Sequence, residues 1–259
     1  MKKSKIAVLV AMVVVLAFSL AACGGSDKSG SDKTVYKVGT EPTFPPFDTT
    51  DEDQNIVGLD MDLIKAIGED QGFDVEFENL SFDGLIPALK AGNIDIVAAG
   101  MNKDDEDRQK EVDFSDSYYE SKLFVAVTED NTTIKSVEDL TPDMKVAAQT
   151  GTTGASKVKE LKDAGKIKEA VILDGLDTCM MKLINGDVSA VINDKPVTEA
   201  YIKKQPDKIK MVGEALNAEN YGFAVQKGNA ELVEKINNGL KHIKENGTYD
   251  KLVDEWFNK

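Results

Sequence analysis

The chain contains one arginine, Arg108, beside 30 lysines. A guanidinium is a planar fork that can grip a carboxylate through two hydrogen bonds, whereas a lysine offers only a point charge. In a chain that uses lysine everywhere else, Arg108 is therefore a candidate clamp for a carboxylate ligand. The alternative is a surface ion pair with Asp104, Asp105 or Asp107, which would add little to stability.

Asp194 directly follows the apolar stretch "SAVIN" and precedes Lys195 and Pro196. A carboxylate just past a buried strand could accept hydrogen bonds from an ammonium group. The same residue could instead cap a helix that begins at Lys195-Pro196, because Asp is a favoured N-cap and Pro a favoured residue in the first turn. The two roles are compatible, since a capping residue can also face a ligand.

Two other features could line a site. Residues 150–156, "TGTTGAS", form a Gly-Thr loop that enters a predicted helix, and backbone amides at a helix start favour an anion. The loop lacks the final Lys-Ser/Thr of a phosphate loop. Phe44 and Phe82 each stand where a loop meets a regular element, so each could be either an aromatic wall or part of the core, and core is the commoner role.

These residues need elements that bring them together, and the apolar pattern alternates between strand and helix from Val35 onward. The first set of predicted elements is the strands "VYKVGT", "FDVEFEN" and "IDIVAAG", with helices that carry Leu59 to Ile67 and Leu85 to Leu89. The second set is the strands "MKVAAQ", "EAVIL" and "SAVIN", with helices at 153–164, 176–185 and 195–204. The chain then passes through a strand at "YGFAVQ" to helices at 230–245 and 248–258. We therefore predict an α/β fold of two lobes, each with a mainly parallel sheet flanked by helices, and a site where loops leave the strand carboxyl ends.

The composition excludes several classes of function. A chain of 259 residues, 41% of them hydrophobic, can bury one large core or two smaller ones, and its net charge of −15 argues against a nucleic-acid partner. Asp51, Asp53 and Asn55 have the spacing of a calcium loop, but Ile56 stands where that loop needs glycine, so we predict a solvated hairpin turn. No zinc, nucleophile-elbow or Ser-His-Asp pattern appears, and we predict neither a metal nor a cofactor.

The first residues are typical of an export signal. Lysines at positions 2, 3 and 5 precede an apolar run over 6–22, which predicts a signal peptide, with an uncleaved membrane anchor as the alternative. The segment 20–23, "LAAC", resembles the lipobox of bacterial lipoproteins. That resemblance implies cleavage of residues 1–22 and attachment of lipid, palmitate among its acyl chains, to Cys23. Residues 23–33 would then be the lipidated cysteine and a flexible Gly-Ser tether.

The mature part of the chain resembles the family 3 bacterial extracellular solute-binding proteins, the amino-acid receptors of ABC importers. The resemblance covers about 34–259 and is specific because its segments occur together and in order. They are "VGTEPTFPPF", "VGLDMDLIKAIGE", "SFDGLIPALKAGNIDIVAAGM", "RQKEVDFSDSYY", "VAAQTGTTG", "SAVINDKPV" and "YGFAVQKGNAELVEKINNGLKHIKENGTYDKLVDEWF".

The resemblance implies a two-lobed, type II periplasmic-binding-protein-like fold whose lobes are joined by two hinge strands, near 119–124 and 217–221. Lobe 1 would comprise residues 34–120 and 220–259, and lobe 2 would comprise 121–219. The family's function implies a monomer on the extracellular face of the cell membrane, anchored through Cys23. It would capture an L-amino acid and deliver it to a membrane permease.

The resemblance also assigns roles to particular residues. Arg108 matches the clamp for the ligand's α-carboxylate, which Thr153 and its amide share. Asp194 matches the acceptor of the α-ammonium group, helped by the backbone of Gly100. Phe44 and Phe82 match the aromatic walls around the side chain, which would explain why three prolines stiffen the loop that carries Phe44.

Three further positions bear on ligand choice. Glu41 and Asp60 match positions that in some relatives face the end of the ligand side chain, so glutamine or a basic amino acid is favoured. Asn102 matches the polar helper before the arginine. However, it lies six residues before Arg108 where the family usually has five, so either the loop carries an insertion or a neighbour is the helper.

The sequence leaves open two alternatives to a transport receptor. One is an exported enzyme on the same fold, such as a dehydratase of prephenate-type substrates, because a fold does not fix a function. That enzyme would need a general acid or base in the cleft, and Glu41 or Asp194 could serve. The other alternative is a ligand-sensing module, although the chain has no predicted domain through which to signal.

Overall fold

The computed structural model describes residues 33–258. The predicted signal peptide, Cys23 and residues 23–32 of the predicted tether lie outside this part of the chain. Within residues 33–258, no helix combines the length and the hydropathy needed to cross a membrane.

Lobe 1 is built on a five-stranded sheet flanked by helices. In spatial order its strands are β4 (Phe73–Asn79), β1 (Thr34–Thr40), β5 (Ile96–Val97), β14 (Ala224–Gln226) and β6 (Val112–Phe114). Four of the five run in one direction, because only β14 is antiparallel to both of its neighbours. The helices of this lobe are α1 (Leu59–Gln71), α2 (Phe82–Lys90), α3 (Glu106–Glu111), α7 (Ala230–Glu245) and α8 (Thr248–Phe257).

Lobe 2 repeats this plan. Its strands are, in spatial order, β10 (Glu169–Leu173), β9 (Lys145–Gln149), β11 (Ala190–Asp194), β8 (Leu123–Thr128) and β12 (Ile209–Val212). Here β8 is the one reversed strand. The helices are α4 (Thr153–Asp163), α5 (Leu176–Ile184) and α6 (Lys195–Lys204), with a short 3₁₀ turn at Val137–Asp139. The two predicted sheets are therefore confirmed as separate, mainly parallel sheets.

Helix α1 shows how the pattern determines the packing. Leu59, Leu63, Ile64 and Ile67 recur at helical spacing, and all four are fully buried. The helix ends at Gly72, which adopts the left-handed conformation that favours glycine, with φ of 78°. One apolar stripe thus covers the first sheet, as the sequence predicted.

Two short strands cross between the lobes. They are β7 (Tyr119–Ser121) and β13 (Glu219–Tyr221), which pair antiparallel with Ser121 opposite Glu219 and Tyr119 opposite Tyr221. Directly opposed residues of an antiparallel pair project from the same face, so these four side chains share one side of the ribbon. The predicted hinge strands are thereby confirmed within the ranges 119–124 and 217–221.

Some predicted strands are shorter than their apolar runs. Only Ile96 and Val97 of "IDIVAAG" pair in the sheet, because the chain then bends at Gly100, where φ is +54°. The run "YGFAVQ" is split, since Tyr221 ends the crossing strand and Ala224 begins β14. Residues 49–57 form the predicted hairpin, from β2 (Thr49–Thr50) and β3 (Ile56–Val57), whose turn is held by Asp51.

Candidate functional site

A small cavity lined mostly by polar residues lies between the lobes at the carboxyl ends of their strands, and about 320 Å³ of empty space, part of it open to solvent, lies within it. Eight of the nine predicted ligand-binding residues line it, and only Asp60 does not. The lining residues are Glu41, Phe44, Phe82, Ala99, Gly100, Asn102, Arg108, Gln149, Thr152, Thr153, Asp194 and Glu219.

Arg108 is held inside the cavity rather than on the surface. It is 9% exposed, and the N-cap Asp105 fixes its helix by accepting the Arg108 amide at 3.0 Å. Its Nη1 donates to the Asn102 carbonyl at 3.2 Å and its Nη2 to the Gly151 carbonyl at 2.9 Å, while Cζ lies 5.3 Å from the Phe82 ring centroid. Burial lowers the pKa of Arg108, and nearby carboxylates oppose that change. The side chain therefore presents a charged, oriented fork to the cavity.

Asn102 supports Arg108 through its backbone. Its carbonyl accepts from the guanidinium, and its own side-chain Oδ1 accepts the amides of Asp104 at 3.1 Å and Asn220 at 3.4 Å. The six-residue spacing to Arg108 is thus accommodated by a turn that ties Asn102 to the crossing strand β13.

The Gly-Thr loop begins helix α4, as predicted. Thr152 is the N-cap, and its Oγ1 accepts the Ala155 amide at 3.1 Å. Thr153 is the first helical residue, and the first amides of a helix have no partner within the helix. The partial positive charge at this helix start faces the same cavity as Arg108, so the two can share one carboxylate.

Asp194 faces the cleft although it occupies the N-cap position of α6. Its side chain makes no capping hydrogen bond. Instead its Oδ1 accepts from Ser121 Oγ at 2.9 Å and from the Tyr221 hydroxyl at 2.5 Å. Burial, and then the negative charge of Glu219, raise the pKa of Asp194 to about 8. Of the two roles that the sequence left open, the structure shows the side chain directed into the cavity.

Glu41 reaches across the cleft from lobe 1. Its Oε2 accepts from Thr43 Oγ1 at 2.8 Å and from Gln149 Nε2, at the end of β9, also at 2.8 Å. Burial raises the pKa of Glu41, and the hydrogen bond from Gln149 opposes that rise. Thr43 extends this contact between the lobes, since its carbonyl accepts from the Tyr201 hydroxyl at 3.2 Å. The two lobes are therefore in contact around the cavity.

Phe44 forms one wall and Gly100 makes room for it. Phe44 is 7% exposed and lies 6.0 Å from Phe47 and 6.3 Å from Tyr221 between ring centroids. A Cβ on Gly100 would lie 2.6 Å from the Phe44 ring, so only glycine allows the backbone to approach so closely. Phe82, on the opposite lip, is half-buried beneath the guanidinium.

Asp60 does not reach the cavity, so the structure does not place it at the side-chain end of a ligand. It is fully buried on the far side of Gly100 from the cavity. There its Oδ2 accepts the Gly100 amide at 2.8 Å and the Tyr118 hydroxyl at 2.7 Å. Burial raises the pKa of Asp60 to about 7. Its position at the start of α1, among apolar residues, directs it inward to the Gly100 turn.

Four lining residues were missed by the sequence reading, namely Ala99, Gln149, Thr152 and Glu219. A polar residue at the end of the buried strand "VAAQ" is a usable signal for Gln149, and Thr152 lies in a loop that was already singled out. Glu219 lies within a predicted crossing strand, but nothing in three residues tells which face of that strand points into the cleft.

Two α/β lobes that meet over a polar cavity and are joined by two crossing strands define a two-lobed, type II periplasmic binding protein. A family model, described as bacterial extracellular solute-binding proteins, family 3, matches residues 36–259. This chain belongs to that family.

Individual relatives agree with this assignment. A probable histidine-binding protein from Neisseria gonorrhoeae is 33% identical over 260 residues, covering 97% of this chain and 95% of that protein. The solved structure of an ancestral arginine-binding protein bound to arginine has a TM-score of 0.82 and 45% identity, covering 87% of this chain and 99% of that one. An ancestral amino acid-binding protein, a precursor of cyclohexadienyl dehydratase, has a TM-score of 0.79 and 39% identity, covering 86% and 95%.

Proposed function

We propose that the cavity captures a polar L-amino acid, with a basic one preferred, and that the protein delivers it to the permease of an ABC importer. The observation that carries this proposal is that a buried arginine fork and a buried carboxyl group, Arg108 and Asp194, face one cavity. That pair suits the zwitterion shared by all free amino acids, because one group complements the α-carboxylate and the other the α-ammonium.

The other lining residues take roles around this pair. The Thr153 amide joins Arg108 on the carboxylate, and the Gly100 backbone joins Asp194 on the ammonium group. Phe44 and Phe82 form the walls around the side chain. Asp60 acts as a positioning residue, because it holds the Gly100 turn through the amide at 2.8 Å.

Charge favours a cationic side chain. The ionisable carboxyl groups of the cavity are Glu41, Asp194 and Glu219, and its one cation is Arg108. An acidic ligand would add a negative charge beside Glu41, whereas a guanidinium or ammonium could replace the amide of Gln149 on that carboxylate. The names of the histidine-binding and arginine-binding relatives agree with this preference.

The test is a binding panel on the purified protein, with heat of binding or thermal shift measured for the twenty L-amino acids and ornithine. We expect the strongest response from arginine, lysine, ornithine or histidine, and a weaker one from glutamine. Aspartate and glutamate should give none. A protein that responds to no amino acid would contradict the proposal.

Lipid anchoring is a separate part of the proposal. The "LAAC" segment supports cleavage before Cys23 and tethering of the protein to the extracellular face of the membrane. We also propose that the protein is a monomer, with lobe 1 formed by residues 34–120 and 220–259 and lobe 2 by residues 121–219. Wild-type protein should incorporate labelled palmitate and lose residues 1–22, whereas Cys23→Ser should incorporate none, with its ligand affinity unchanged. A wild-type protein that incorporates no palmitate and keeps residues 1–22 would instead support the uncleaved anchor.

One observation favours a second function. Asp194 is a cleft carboxyl group whose pKa is raised to about 8, as a general acid requires, and a solved neighbour is the precursor of a dehydratase. Incubation with prephenate-type acids, followed by chromatography of the products, tests an enzyme. We expect no turnover, because the named relatives are binding proteins.

A further inference from the structure

Glu219 is a buried acid of the cavity to which the family motifs give no role. It is 2% exposed, lies on the crossing strand β13 and lines the cavity. Its Oε1 accepts from Asn217 Nδ2 at 2.9 Å. A carboxyl group with so little access to water needs a further polar or cationic partner if it is to carry a charge.

The crossing ribbon brings Glu219 against Asp194. Ser121 lies directly opposite Glu219, and Tyr221 lies two residues along the same face. Both hydroxyls donate to Asp194 Oδ1, so Asp194 lies over the face of the ribbon that carries Glu219. Burial raises the pKa of Asp194, and the negative charge of Glu219 adds to that rise. A buried negative charge on the same face of the ribbon opposes ionisation of Asp194, so Asp194 retains its proton near neutral pH in the empty site.

The charged groups around the pair are few. Arg108 lies near both carboxyls on the lobe 1 side, with Asp105 next to it. The Tyr221 hydroxyl donates to Asp194. The other charges on the adjoining elements lie at the surface. Lys195 pairs with Glu199 at 3.4 Å, and Asp104 accepts from Asn220 at 2.7 Å. Arg108 donates to two carbonyl groups, and both Asp194 and Glu219 line the cavity, so a cationic ligand group could approach the two carboxyls from the cavity side.

We propose that Glu219 and Asp194 together form the receptor for the ligand's ammonium group, and that the proton held by Asp194 in the empty site leaves when the ligand binds. The inference rests on the proposed amino-acid-binding function. The exchange is balanced: the protonated pair and an ammonium ligand give the complex and one free proton. Because Glu219 belongs to a crossing strand, this contact also connects ligand capture to the segment about which the lobes move.

The test is calorimetry of arginine binding to the purified protein in two buffers of different ionisation enthalpy. Arginine is the suitable probe because its guanidinium keeps its charge. Between about pH 5.5 and 7 we expect release of close to one proton, and an affinity that rises about tenfold per pH unit, as mass action requires for a displaced proton.

Glu219→Gln tests the residue itself, because the amide keeps the shape and the acceptor for Asn217. We expect proton release near pH ~7 to fall and the pH dependence to become weaker, because burial alone still raises the pKa of Asp194 once the Glu219 charge is removed. The affinity at about pH 7 should fall at least tenfold, as for loss of a charged hydrogen-bond partner. The control is Glu214→Gln, an exposed acid shortly before β13, which should behave as wild type.

The outcomes separate the two proposals. A wild-type protein that binds arginine without releasing a proton overturns the proton-release inference and leaves the amino-acid receptor intact, and this measurement needs no variant. If Glu219→Gln leaves both the affinity and the proton release unchanged, the inference is also overturned. If wild type binds no amino acid at all, the proposed function itself fails.

Discussion

The Arg108 side chain in lobe 1 donates to the backbone carbonyl of Gly151 in lobe 2 at 2.9 Å. Gly151 belongs to the loop that starts helix α4, so the guanidinium touches the same loop that presents the Thr153 amide. The proposed carboxylate clamp is therefore assembled from both lobes. A ligand carboxylate bound there would contact lobe 1 through a side chain and lobe 2 through a helix start, which favours the closed arrangement of the lobes.

Arg108→Lys should weaken every amino-acid ligand by a similar factor. A lysine keeps the charge but loses the two-pronged contact, so we expect about a ten- to hundredfold loss of affinity, the effect of removing a charged hydrogen bond. Calorimetry with arginine, histidine and glutamine checks the prediction. Lys110→Gln, on the same short helix but exposed and paired with Asp107 at 2.7 Å, is the control. Unchanged binding in Arg108→Lys would show that the clamp is elsewhere.

Glu41→Gln should change the order of ligands rather than weaken them all. The variant keeps an acceptor for Thr43 and Gln149 but removes the negative charge at that end of the cavity. We expect about a tenfold or larger loss for arginine and little change for glutamine. Competition between the two ligands measures this ratio directly. The exposed turn residue Glu52, changed to Gln, is the control, and an equal loss for both ligands would rule out a role for Glu41 in specificity.

Much of this site could be predicted because its residues follow strand ends. Glu41 and Gly100 come shortly after β1 and β5, and Asp194 is the last residue of β11. Parallel strands bring their carboxyl ends to one edge of a sheet. The position of Arg108 came from its uniqueness in the chain and from the resemblance, not from periodicity, because its helix is only six residues long.

The placement of the remaining site residues could not be predicted, because it depends on the direction in which particular side chains point. Asp60 looked like a cavity residue, but the turn at Gly100 offers its amide behind the wall, and Asp60 satisfies that donor. Glu219 was missed because a three-residue crossing strand carries too little alternation to show its inner face. Both cases involve a contact between segments far apart in the sequence, which local patterns do not encode.

Gly100→Ala should be costly for two separate reasons. Its φ of +54° is unfavourable for alanine, and the new Cβ would lie 2.6 Å from the Phe44 ring. Gly92→Ala is the matched control, because Gly92 has φ of +73° but no atom within 4 Å of a new Cβ. We expect Gly92→Ala to lose about 1 kcal/mol and Gly100→Ala to lose about 1–3 kcal/mol more, together with ligand affinity. If denaturant unfolding gave the same loss of unfolding free energy for both variants, the Phe44 ring would have to move aside without a cost in stability.

Asp60 should make the free energy of unfolding depend on pH. Burial raises the pKa of Asp60 from its usual value to about 7, so the folded protein retains a proton that the unfolded chain releases near pH ~4. The stability that Asp60 contributes is therefore fully present below pH ~4 and is lost as the pH rises to about 7. A shift of this size corresponds to at most about 4 kcal/mol.

Asp60→Asn isolates this effect, because an asparagine oxygen can still accept from the Gly100 amide and the Tyr118 hydroxyl. Relative to wild type, the variant should gain several kcal/mol between about pH 4 and 7, the span of the shift. Urea unfolding at about four pH values over that range measures the difference. Asp53→Asn, in the exposed hairpin turn, should show no such trend. A constant difference between Asp60→Asn and wild type at every pH would mean that Asp60 stays ionised in the folded protein and holds the Gly100 turn as a carboxylate.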